Sequence, residues 1–122
     1  MHSLDISTNG GLKKAYLIIP LQGCGSCIDQ SIQFMKKNSE NDKISYIIVD
    51  QDIKNIKIKI GSDYLTKPNL IIDEKMIAMR SSLTYASPII YYCQDNEVIG
   101  KRIVQASKVA KEFEKLHAFI NS

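Results

Sequence analysis

Cys24 and Cys27 are separated by Gly25 and Ser26, at the point where a strand-like apolar run gives way to a helical pattern. Tyr16, Leu17, Ile18, Ile19 and Pro20 precede the motif, and Ile28, Ile32 and Met35 follow it at i, i+4 and i+7. A strand that turns into a helix through two thiols puts both sulfurs at a helix N-terminus. There the dipole and the unpaired N–H groups stabilise a thiolate, and the spacing allows a small disulfide ring. This arrangement reads as dithiol redox chemistry rather than packing. CxxC is also half of a zinc site, which needs two further ligands. Beyond the pair the chain offers Cys93, His2 at the extreme N-terminus and His117 near the end of a predicted C-terminal helix, and it has no second CxxC. A metal site is therefore the weaker reading, and an inert structural pair stays open as an alternative.

The remaining sequence bounds the class of molecule. A chain of 122 residues, 44% of them hydrophobic, is the size of one domain with a core. Its apolar runs are of strand length, well short of the ~20 residues of a membrane span. The net charge of +3 is mild. The lysines are scattered, with no interleaving of basic and aromatic residues that would form a stacking platform for nucleic acid. Three cysteines are an odd number, which suits an enzyme better than a disulfide-stapled scaffold. Residues 1–12 are polar and glycine-rich, lack the apolar stretch of a secretion signal, and read as a flexible leader to a single domain at 13–122.

Along that domain the pattern predicts a strand at 14–20, an amphipathic helix at 27–38 and a strand at 44–49, together a βαβ unit. Residues 53–66 carry both helical and alternating spacing of isoleucines; a short helix closed by Gly61 is the favoured reading. A strand at 69–73 and a brief helix at 75–83 follow. Pro88 opens an apolar run, Ile89 to Cys93, which a polar turn joins to a second strand at 98–104 as a hairpin. A final helix at 105–119 carries Val109, Phe113, Leu116 and Ile120 as a core stripe. Cys93 shares a strand face with Ile89 and Tyr91 and reads as a small buried hydrophobe. Tyr91 and Tyr92 point to opposite faces, so one of them is expected to meet solvent or a partner.

A strand, CxxC, helix, strand, then a proline-led hairpin and a final helix resembles the thioredoxin-like superfamily over residues 14–120. The resemblance implies an α/β fold with a central mixed sheet, helices on both faces and a reduced N-terminal strand and helix. It implies a cis Ser87–Pro88 bond lying against the two thiols, with the backbone of Ser87 exposed to pair with an extended substrate chain. The extra helix and strand between Asp50 and Pro88 resemble the TlpA-like proteins of the cell envelope, and so imply a periplasmic or envelope location.

The same resemblance implies thiol–disulfide exchange, with Cys24 as the exposed nucleophile and Cys27 as the resolving thiol. Gly23, Gly25, Ser26, Ser87 and Pro88 would form the substrate-binding surface. The expected partners are protein disulfides and an electron donor, with no cofactor, no metal, no nucleic acid and a monomeric chain. The pattern also departs from thioredoxin itself. There is no Trp before the first cysteine, and Ile18 stands where that family keeps a buried acid. Proton release from Cys27 is then left to water or to Ser26, and resolution is expected to be slow. The alternative from another class is a binding module whose cysteines form a static disulfide. A peroxidase is disfavoured, because no Thr/Pro-rich loop surrounds Cys24.

Overall fold

The computed structural model describes residues 13–121 apart from Cys24, Tyr85 and Asn96. The expected leader at 1–12, and with it the expected reduced N-terminal strand and helix, lies outside the described residues. The chain runs β1 (Lys13–Pro20), α1 (Gly25–Lys37), β2 (Ile44–Val49), α2 (Ile53–Ile60), α3 (Ser62–Leu65), β3 (Leu70–Asp73), α4 (Ile77–Arg80), β4 (Ile89–Gln94), β5 (Glu97–Ile103) and, after a 3-10 turn, α5 (Val109–Ile120). The strands form one sheet in the order β3-β2-β1-β4-β5. β1 is parallel to β2 and β2 to β3, whereas β4 is antiparallel to both β1 and β5. This is the mixed α/β sheet expected from the sequence.

Alternation along the strands builds a core on each face. Ala15, Leu17 and Ile19 of β1 join Ile44, Tyr46 and Ile48 of β2, and Ile90 and Tyr92 of β4, in the larger core. The buried faces of α1, α2 and α5 close it, including the predicted stripe of Val109, Phe113, Leu116 and Ile120. Phe34 of α1 stacks on Phe113 with centroids 4.3 Å apart and ties the first helix to the last. Tyr16 and Ile18, Ile47 and Val49, and Ile89, Tyr91 and Cys93 form the second core on the opposite face, against Ala78 and the flanks of α4.

Two expectations about local structure resolve here. The isoleucines at 53–60 form a helix, because Asp52 caps it, accepting from the N–H groups of Lys54 and Asn55, and because Gly61 ends it at φ 89°. Ile56 and Ile60 face the core, while Ile58 faces solvent. Tyr91 and Tyr92 do point to opposite faces, but both are buried, which corrects the expectation that one meets solvent. Leu83 covers the first, its carbonyl accepting from the Tyr91 hydroxyl at 2.7 Å, and Phe119 of α5 packs edge-on over the second at 4.8 Å.

One ion pair binds α5 to the sheet. Arg102 of β5 donates through Nη2 and Nε to the two carboxylate oxygens of Glu112, at 3.0 and 3.3 Å. Glu112 is buried and Arg102 is half-exposed. The hydrogen bonds from Arg102 hold the Glu112 carboxyl below its ordinary value of 4.5; burial opposes this, and the positive charges of Arg102, Lys115 and Lys108 add to it. A carboxylate with a lowered pKa in the folded state contributes stability above its unfolded pKa. That contribution is lost as pH falls through the folded value. Chemical denaturation should therefore show stability dropping as pH is lowered below about 4.5, and Glu112→Gln should flatten this part of the profile.

Candidate active site

The end of β1 is held in place beyond the strand itself. Leu21 N–H donates to the Val49 carbonyl at 3.1 Å, carrying the parallel ladder one step past Pro20. The chain then bends through Gln22 and Gly23 and enters α1 at Gly25. The helix begins two residues earlier than its apolar spacing predicts, so Gly25 and Ser26 form its exposed first turn and Cys27 is its third residue. Cys27 is 1% exposed and is disulfide-bonded, whereas Cys93 is a free, buried thiol. Cys24, the expected nucleophile, lies outside the described residues. A sulfur held in a disulfide is not a thiolate ligand, and the bonded state of Cys27 is shared by an exchange centre and by a structural pair.

Gly23 makes the tightest junction of this edge. Its φ is +139°, and a Cβ built there would stand 2.1 Å from the Ala86 carbonyl oxygen. A side chain is excluded twice, by the backbone conformation and by the neighbouring chain. Ala86 belongs to the loop ahead of Pro88, so the segment leading into the motif and the segment leading into β4 touch backbone to backbone. This contact, far apart in sequence, is not visible from composition or spacing.

The predicted cis bond is not present. No cis peptide occurs among the described residues, and Ser87–Pro88 is trans. Trans is the lower-energy form of an X–Pro bond, and the close approach from this loop is that of the Ala86 carbonyl to Gly23. Nor is the backbone of Ser87 wholly open to a substrate. Its carbonyl accepts from the buried hydroxyl of Thr84 at 3.1 Å. Ser87 is half-buried and Pro88 buried, and the Pro88 carbonyl accepts from Val104 N–H at 2.8 Å. Beside this loop lies a groove of about 320 Å³, walled by Thr84, Ala86 and Ser87 on one side and by Ile89, Tyr91 and Ile103 of the sheet on the other.

The buried carboxylates nearest this edge are already engaged. Ile18 is fully buried in the second core, among apolar residues. Asp50, just past β2, is 1% exposed, but its carboxylate accepts from Asp52 N–H at 3.0 Å and Asn55 Nδ2 at 2.6 Å. Asp73, at the end of β3, caps α4 by accepting from the N–H groups of Ile77 and Ala78. The first turn of α1 carries no acid. Cys93 sits in the second core, where burial pushes its thiol pKa up.

One polar residue of α1 escaped the sequence reading. Ser31 follows Cys27 at i+4, is fully buried, and its hydroxyl has no hydrogen-bond partner among the described residues. The signal was present, because Cys27, Ser31 and Phe34 form a second buried row beside Ile28, Ile32 and Met35.

No family model matches the chain, and no curated protein does. Solved structures do. A secreted disulfide oxidoreductase of Mycobacterium tuberculosis, homologous to E. coli DsbE, superposes with a TM-score of 0.55 at 10% identity, over 89% of this chain and 97% of that one. A thiol-disulfide oxidoreductase from Bacteroides fragilis gives 0.53 at 11% identity, over 88% and 82%. The bacterioferritin comigratory protein of Xanthomonas campestris, studied for alkyl peroxide reduction, gives 0.52 at 7% identity, over 95% and 91%. At these identities the likeness is one of fold. The chain has the thioredoxin-like fold.

The two glycines of the motif region should respond oppositely to the same substitution. Gly23→Ala meets the Ala86 carbonyl and a strained φ, and should destabilise the protein by about 1–3 kcal/mol or more. A Cβ at Gly25 meets nothing within 4 Å. Gly25→Ala should be neutral or stabilising, by up to ~1 kcal/mol from helix propensity. Thermal unfolding of the two variants checks both.

Proposed function

We propose that this protein is a thiol–disulfide oxidoreductase that exchanges electrons with protein disulfides through Cys24 and Cys27. The observation that carries this reading is Cys27 itself. It is a buried, disulfide-bonded sulfur in the first turn of the helix that follows a central strand of a thioredoxin-like sheet. In the reductive direction the Cys24 thiolate attacks a substrate disulfide. A mixed disulfide forms and one substrate sulfur leaves as a thiolate. The Cys27 thiolate then attacks the Cys24 sulfur, the second substrate sulfur leaves, and the chain is left oxidised by two electrons. A dithiol donor returns it to the reduced form by the same exchange in reverse.

The groove walled by Ala86 and Ser87, in the loop that meets Gly23, supports reading this edge as the place where an extended substrate segment would dock. The neighbouring solved structure of a secreted disulfide oxidoreductase favours an oxidising compartment outside the cytoplasm for this chain too. No helix among the described residues is long and apolar enough to cross a membrane. The second reading, a binding module with a static disulfide, draws on the same bonded state of Cys27. The reduction potential separates the two. A pair that equilibrates with glutathione or a dithiol donor is an exchange centre, and one that resists both is structural.

Incubation with a small disulfide protein such as insulin tests the roles. Cys27→Ser should accumulate a mixed disulfide at Cys24, seen by mass spectrometry of the non-reduced sample. Cys24→Ser should abolish exchange, and Cys93→Ser should leave it within about twofold of the parent, as for a thiol buried in the core. Adduct formation at Cys93, or undiminished exchange without Cys24, would show the assignment to be wrong.

A further inference from the structure

Ser31 is fully buried, its hydroxyl has no partner among the described residues, and it stands one helical turn beyond a disulfide-bonded sulfur. A buried hydroxyl without a hydrogen bond is costly and calls for an explanation, of which a role in redox chemistry is one. Side chains of a helix lean toward its N-terminus, and residues at i and i+4 share a face. The Ser31 side chain therefore extends over the turn that carries Cys27. Around it the helix buries Ile28, Ile32, Phe34 and Met35, none of which can donate a hydrogen bond. Asp50 and Asp73 are each bound to other groups.

We propose that Ser31 is the internal hydrogen-bond donor that receives the Cys27 sulfur when its disulfide opens, and that it thereby sets the redox poise of the pair. The inference rests on the thiol–disulfide reading of the same site. When an incoming dithiol donor attacks the Cys24 sulfur, the bond to Cys27 breaks and Cys27 Sγ takes the electron pair as a thiolate. Ser31 keeps its proton and donates a hydrogen bond to that sulfur, and the thiolate is later protonated from solvent. In the disulfide the sulfur is a poor acceptor, and the hydroxyl is left unpaired. The donor thus favours the reduced state twice, by relieving its own unpaired hydroxyl and by holding the new charge in apolar surroundings.

Two measurements on the full chain test this. The first is the thiol–disulfide equilibrium against glutathione in wild type, Ser31→Ala and Ser31→Thr. Ser31→Ala should shift the equilibrium toward the disulfide by about tenfold, a change of about 30 mV for a two-electron couple, and Ser31→Thr should restore most of it. The second is the pH dependence of Cys27 alkylation in a Cys24→Ser/Cys93→Ser background, which should move to higher pH in the Ser31→Ala protein. Identical equilibria and identical alkylation profiles in wild type and Ser31→Ala would overturn the proposal. If wild type fails to exchange with any dithiol, the oxidoreductase reading falls. The alkylation profile still decides the role of Ser31, because it needs no exchange.

Discussion

Everything at the candidate site depends on the position of β1. Among the described strands it alone has a parallel neighbour on one side and an antiparallel neighbour on the other, and from Ala15 to Ile19 it is fully buried. Side chains from both of its faces are locked into the two cores, at roughly 1.5–3 kcal/mol for each large aliphatic residue buried. A slip of one residue would exchange the two faces and place Tyr16 and Ile18 among the helices. The register is therefore fixed, and with it the point at which the chain leaves the sheet. The bond from Leu21 to Val49 extends this certainty to the loop itself. Only then does a short turn with one permissive glycine deliver Cys27 to the start of α1.

Much of this was legible in the chain. The apolar run at 14–20, the i, i+4, i+7 spacing after it and the proline-led hairpin place β1, α1, β2, β4 and β5 within a residue or two, whereas α4 is shorter than its expected span and α5 starts at Val109 rather than at 105. Burial on both faces makes a strand uniformly apolar, and such a run is easy to read. What the sequence could not show are the junctions between distant segments. Gly23 is an ordinary glycine until Ala86 is seen against it. Pro88 carries the resemblance to a cis-proline loop, yet its bond is trans and Ala86 makes the approach. Tyr91 and Tyr92 were misjudged for a related reason: whether a strand face is covered depends on Leu83 and Phe119, which come from other parts of the fold.

The carboxylates of the sheet edge divide the work of the site in a particular way. Asp50, Asp52 and Asp73 stand at the ends of parallel strands, where acids often serve chemistry, but each is spent on satisfying backbone or amide donors around α2 and α4. They fix the loops that carry the edge. On the proposed reading, the charge developed by an opening disulfide would fall to the N-terminus of α1 and to neutral donors close to it.

The antiparallel pairing of β1 with β4 also has a consequence for how the molecule comes into being. Lys13 lies opposite Gln94 and Ile18 opposite Ile89, so half of the ladder of the first described strand is supplied from the last third of the chain. Contacts of such long sequence separation are slow to form, because a large loop must close before any bond rewards it. During synthesis β1, α1, β2 and β3 can associate as a parallel half-sheet while the flank of β1 remains an open, apolar edge. The contact of Gly23 with Ala86 waits for the same closure. Until β4 arrives, the thiol loop has a strand and a helix to hang from, but not the second loop that shapes it.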